Sequence, residues 1–399
     1  MNQPLFLHIV ERLEGFLTKL PEKLQKPILH ELTPLKELFL KQRPPRLVLT
    51  GSHKLPVQEV FAAIFPGEET GAFRDVLVEV FRWQEIAAGS LGKVSLLDAR
   101  GADAGALAKI KIELERQAAD AFLHLADAGS GRSMAERETE NLAALLSVND
   151  EQAATAKVIG VSLVPPSRGG THVGNGHAPA SERSEAVNKL RDALANNATI
   201  RPHVARVLEI PVGTTGTSSE AARLLALLAQ VMPNEARVEM VRISKDREAQ
   251  AEIAQVLVKS TSAMCAAIGA QPIPLADLPI LTTLQLVMVS GIMYLTGRER
   301  SLRAATEFVA ALGVNVGAGM VLREGTRAVL KFFPGWGNVV CGMVAGAGTY
   351  ALGRAAIVYF VEGLSLKDAR RIYLRSRKPP GRPRFLTTDG AGKEGNGRS

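Results

Sequence analysis

Cysteine and aromatic residues are scarce in this chain: two cysteines, and 5% Phe, Trp and Tyr, among 399 residues. Cys265 and Cys341 stand far apart in apolar surroundings. That excludes a disulfide framework and the close spacing of a cysteine metal site, and it suits a reducing compartment. Both thiols are expected to be inert. Too few aromatics are present to interleave with basic residues as a stacking surface for single strands, and no nucleic-acid motif appears. The first ten residues lack a basic region followed by an apolar core and a small-residue cleavage site, so secretion is not expected. No Gly-x-Ser-x-Gly elbow occurs. His172 and His177, with His203 further on, lack the acidic or cysteine partners of a metal site.

What is present is apolar. Such residues make up 46% of the chain and charged ones 22%, enough for a folded protein of two or three domains. The formal net charge of +8 matters less than its placement. Over residues 4–40 apolar residues recur at helical spacing, punctuated by Pro21 and Pro34. Residues 1–42 therefore read as short amphipathic helices that pack on the next domain, bind a partner helix or lie on lipid.

From Arg46 the pattern changes to strands alternating with helices. Strands are expected at 46–50, 76–85, 91–97, 121–126, 157–164 and 204–212. Helices are expected at 57–65, 104–117, 134–146, 184–198 and 218–232, with a loop at 165–184. The second and third strands, joined by Ala88, Gly89 and Ser90, should be antiparallel, and the rest should form a mostly parallel sheet with flanking helices. After Pro233 the strands stop, and 248–268 reads as a helix.

The turn after the first strand is where a phosphate-binding loop sits. That loop needs Gly-x-x-x-x-Gly-Lys-Ser/Thr: glycine amides wrap the phosphates, lysine neutralises them and the hydroxyl holds magnesium. Here Gly51, Ser52, His53, Lys54 and Leu55 lead to Pro56, Val57 and Gln58. The first glycine is present; the second glycine, the lysine and the hydroxyl are replaced. Either this is a plain strand-to-helix turn, or Lys54 reaches a phosphate from within it. Further on, Asp98-Ala-Arg-Gly101 ends a strand with Asp-x-x-Gly. In a GTPase such an aspartate holds magnesium through water, and the glycine amide senses the terminal phosphate. Asp98 could equally cap the next helix.

By these elements, residues 43–238 resemble the translation-factor-related, Era-like class of P-loop GTPases. The resemblance is carried by residues 46–51, 96–101, 159–163 and 208–213. It implies a P-loop GTPase-like α/β domain that binds GTP or GDP with Mg, through Gly51, Ser52, His53, Lys54, Asp98 and Gly101, with Asp98 on the metal. Three family motifs are missing. The guanine-reading Asn/Thr-Lys-x-Asp is replaced by Pro165, Pro166, Ser167 and Arg168, and the Ser-Ala signature by Val212, Gly213 and Thr214. Thr70 is the one candidate for a switch threonine. Hydrolysis does not follow from such a fold, because the charge that stabilises a transferring phosphoryl group is gone.

The C-terminal part, residues 248–363, reads as an all-α apolar helical domain. Residues 278–297 and 332–353 are each long enough to span a hydrocarbon core of about 30 Å. Gly313 with Gly317, and Gly342 with Gly346, put small residues on one helix face; this permits close helix contact in lipid and homo-oligomers, and occurs in soluble bundles too. Residues 273–282, with Pro334, Gly335, Trp336 and Gly337 and with residues 349–356, resemble a bacterial domain of unknown function that follows Era-like domains and is regarded as membrane-associated. Basic residues lie between the apolar runs (Arg298, Arg300, Arg303, Arg323, Arg327 and Lys331) and in the tail, 364–399. Two spans with a cytosolic first domain would put the middle cluster outside, against the positive-inside tendency, so re-entrant or interfacial helices satisfy the charges better. The basic tail suits anionic lipid, and its last residues suit disorder.

Three functions follow. The first is a pseudo-GTPase scaffold with a protein partner on the cytoplasmic side of the inner membrane. The others are a GTP-binding enzyme using Lys54 in an atypical loop, and a soluble interaction module.

Overall fold

The computed structural model describes residues 26, 38–39, 41–54, 56–65, 81–88, 91–127, 136–152, 155–164, 180–212, 218–270, 277–313 and 337–376. Its centre is a six-stranded sheet built from β1 (Arg46–Gly51), β2 (Gln84–Ala87), β3 (Lys93–Asp98), β4 (Ala121–Asp127), β5 (Lys157–Val164) and β6 (Val204–Pro211). The strand order is β2-β3-β1-β4-β5-β6. Only β2, at one edge, runs antiparallel to its neighbour. The helices α1 (Val57–Ile64), α2 (Ala104–Arg116), α3 (Glu136–Glu151), α4 (Ala180–Asn196) and α5 (Ser219–Val231) cover it.

Apolar residues on both sides of each central strand explain why both faces must be covered. Leu47 and Leu49 of β1 join Leu123 and Leu125 of β4 in one core, with Phe61 of α1 and Leu228 of α5. Val48, Leu97 and Phe122 point the other way, against Ile110 and Leu114 of α2, Leu142 of α3 and Leu194 of α4. The strand starts are tied by Asp120, whose side chain is 4% exposed. It holds the Arg43 guanidinium through two 2.7 Å hydrogen bonds and accepts the Arg46 amide at 2.8 Å.

Among the described residues every element after β6 is helical: α5, then α6 (Asn234–Ser244), α7 (Arg247–Gly269), α8 (Asp277–Leu295), α9 (Leu302–Ala311), α10 (Gly337–Ala356) and α11 (Leu366–Ser376). One π-helical turn, Ile357–Val361, continues α10. The core on the α1 and α5 side of the sheet runs without a break into these helices, through Ala249 and Leu257 of α7, Met288 of α8 and Ile357. Leu38 and Phe39 are buried in this same core, so the end of the N-terminal stretch packs on the protein. The preceding amphipathic residues lie outside the described ones apart from residue 26.

Several expectations shift. Strand β2 lies at Gln84–Ala87, later than expected from alternation at 76–85; residues 66–80 are outside the described ones. Helix α3 extends to Glu151, and α4 begins at Ala180 inside the expected loop. Helix α6, hidden by its mixed polarity, was not expected. Helix α9 stops at Ala311, and Gly313 follows with φ +71°. Gly313 therefore ends a helix, and Gly317 is outside the described residues, as are 314–336 and the tail from 377.

Candidate functional site

Chain direction places the candidate site. From β1 the chain goes through α1 and β2 to β3 on one side, then crosses through α2 to β4 on the other. The carboxyl end of β1 is therefore a point where strand order reverses, the usual place for a ligand crevice in open α/β sheets. Gly51 stands there.

Gly51 has φ +88°, and a Cβ on it would lie 2.3 Å from the Leu125 carbonyl oxygen. No other residue fits without displacing β4. The next amide, that of Ser52, donates to this Leu125 carbonyl at 2.8 Å. An amide that would face a phosphate in a wrapped loop is thus spent on the sheet. Pro56 sits at the N-cap of α1 and has no amide to offer. Val57, in the position of the phosphate-binding lysine, is buried in the core. Lys54 is exposed in the turn, its amide 3.5 Å from Ser52 Oγ.

Gly101 comes close to this turn. Gly101 has φ +63°, and its vacant Cβ position lies 2.8 Å from His53 Nδ1. The His53 ring therefore comes close to Gly101, and both residues are exposed. Asp98 does not present a free carboxylate. Arg100 grips both oxygens, Nε to Oδ1 and a terminal nitrogen to Oδ2, each at 2.8 Å. The Arg100 side chain is 5% exposed and that of Asp98 26%. It is Asp103 that caps α2, accepting the Ala106 amide at 2.8 Å.

The residues present do not fit magnesium. Both Asp98 oxygens are committed to a guanidinium, and Gln58 offers no hydroxyl where the metal would need one. Among the described residues no group of three His, Cys, Asp or Glu side chains is placed to hold a metal. His203 is engaged structurally, with Nδ1 3.0 Å from the Ala156 carbonyl and Nε2 3.1 Å from Asp150. His172, His177, Thr70 and residues 165–168 lie outside the described residues.

Two residues that sequence reasoning passed over complete the site. Arg100 stood inside the Asp-x-x-Gly motif, and a cation two residues after a strand-ending aspartate was the signal. His124, in the apolar strand Ala121–Asp127, is fully buried behind Gly51. Its Nδ1 is 3.0 Å from Thr50 Oγ1, its Nε2 has no hydrogen-bond partner among the described residues, and burial lowers its pKa to about 4.

No protein-family model matches the chain. Magnetosome membrane protein 22 of Magnetospirillum gryphiswaldense is 28% identical to it over 141 residues, 33% of this chain and 71% of that protein. Its name makes that relative a membrane protein. This chain contributes a matching feature: among the described residues, Cys341–Val361 is a 21-residue helix long and apolar enough to cross a membrane, with 56% of its most apolar stretch buried inside the protein. The other expected span falls on α8 (Asp277–Leu295), a helix of 19 residues.

The glycine face of α10 is already used. Vacant Cβ positions at Gly342 and Gly346 lie 2.6 Å from the Ala266 carbonyl oxygen and 2.8 Å from its Cβ, and that at Gly353 lies 2.4 Å from Val258. The close helix contact expected between copies is made inside the chain, by α7.

Proposed function

We propose that this protein is a membrane-associated pseudo-GTPase, a scaffold that keeps a GTPase-like domain for binding a protein partner at the cytoplasmic face of a membrane. The observation that carries the reading is the engaged carboxylate at the end of β3: Arg100 clamps both oxygens of Asp98. A guanidinium here holds the charge that a metal ion holds in an active site, and a carboxylate so engaged binds no hydrated magnesium without losing two charge-assisted hydrogen bonds.

The strand order, with its antiparallel edge strand, supports the GTPase-like fold, as does the approach of His53, in the turn after Gly51, to Gly101. The apolar helix Cys341–Val361 and the magnetosome relative support the membrane part. Phosphate release from GTP with magnesium, measured on the full chain, tests the reading. No turnover above the Asp98→Ala variant is expected; turnover that Asp98→Ala abolishes would show a working site and overturn the proposal.

A further inference from the structure

One face of α10 is apolar and open. Met343, Val344 and Tyr350 are 59%, 55% and 43% exposed, with exposed Ala347 between them. Their spacing keeps these side chains together on the helix, turned away from the glycines that pack on α7. Large apolar side chains this exposed are few. Among the described residues the others are Ile112 of α2, Leu364 in the turn after α10, and Leu374 of α11. All but Ile112 therefore belong to one helical hairpin, formed by α10 and α11.

Helix α11 supplies charge to that hairpin. Gly363, with φ +73°, turns the chain, and α11 packs mainly on α10 rather than on the π-helical turn nearer to it in sequence. It therefore runs back along α10, with Ala369 and Tyr373 buried in the joint core. Its other face carries Lys367, Arg370, Arg371, Leu374 and Arg375, all exposed and all at helical spacing. The acidic residue of α11, Asp368, is salt-bridged to Arg371. Four cations against one carboxylate make the helix positive, and Arg377, Lys378, Arg382 and Arg384 follow in sequence.

An apolar stripe beside a basic helix suits an anionic membrane surface, where apolar groups enter the acyl boundary and cations meet headgroup phosphates. Length decides how deep it goes. From Met343 to Tyr350 the open stripe runs about 10 Å, at about 1.5 Å per residue. Crossing the hydrocarbon core takes about 30 Å. Beyond Tyr350, residues 351–361 are buried in the protein except for half-buried Arg354 and Tyr359. We propose that this hairpin is an interfacial anchor for anionic phospholipid. Met343, Val344 and Tyr350 enter one leaflet, the α11 cations hold its headgroups, and α10 does not cross. This anchor rests on the membrane association proposed above and is independent of the nucleotide crevice.

The test is flotation of the full chain with preformed vesicles, of phosphatidylcholine alone or mixed equally with phosphatidylglycerol. Binding to the mixed vesicles, and little to the neutral ones, is expected. Lys367→Gln and Arg375→Gln should each weaken it about fivefold. Val344→Glu should weaken it at least as much with thermal unfolding unchanged, whereas Ile112→Glu, on α2, should bind as the parent does. Alkaline carbonate should release the chain from cell membranes. Equal binding by the parent and by the Val344, Lys367 and Arg375 variants would overturn the anchor and leave membrane association standing. Flotation with neither vesicle would remove that association itself and give the hairpin to a protein partner. Retention in the carbonate pellet would mean that α10 crosses, and would overturn the anchor equally.

Discussion

At the scale of single residues, the crevice at the end of β1 is defined by what its groups are bonded to. Arg100 and Asp98 neutralise one another, so removing the arginine leaves a part-buried carboxylate without its cation. Arg100→Ala should cost about 1–3 kcal/mol in urea unfolding; no loss would show the pair to be incidental. His124 makes a pH prediction. Burial holds its folded pKa at about 4, below the ordinary 6.5 of the unfolded chain. Between these values the unfolded state binds the extra proton. The contribution is therefore complete above pH 6.5 and is lost as pH falls toward 4. The loss should be on the order of 3 kcal/mol, and His124→Asn should flatten stability over that window. An unchanged slope in the variant would remove His124 as the cause.

At the scale of elements, strands were legible because their apolar runs are unbroken: Lys157–Val164 has the same bounds in the pattern and in the structure. Strand β2 was displaced because alternation continued through residues that precede it. Helix α6 was missed because buried Val238, Met240, Val241 and Ile243 share it with charged residues of the polar junction. The spacing of Gly342 and Gly346 was readable as a close helix contact, but no sequence rule says whose helix makes it. The structure assigns it to α7, which gives a paired prediction along one helix. Gly346→Val should destabilise by about 1–3 kcal/mol through overpacking against Ala266. Gly348→Ala, with nothing within 4 Å of its vacant Cβ position, should be neutral or stabilise by up to about 1 kcal/mol. Thermal melts of the two variants decide it, and equal effects would contradict the assigned packing.

At the scale of the whole molecule, composition separated a strand-bearing part from an apolar helical part, yet one continuous core joins them. Met288, Val289 and Ile292 of α8 are buried within that core. Membrane association then rests on α10 with its continuation and on the relative's nature. In cell fractionation the full chain should float with membranes on a sucrose gradient; recovery wholly in the soluble fraction would restrict it to a soluble interaction module. The crevice was half legible. Pro56 and Val57 were readable as departures from the phosphate-loop pattern, whereas the engagement of Asp98 by Arg100 depends on a turn geometry that spacing does not reveal. The most direct test is a calorimetric titration of the full chain with GTP and GDP in the presence of magnesium. Silence up to millimolar nucleotide is the expected result; micromolar binding would mean that the crevice opens to phosphate after all, and would contradict the scaffold reading.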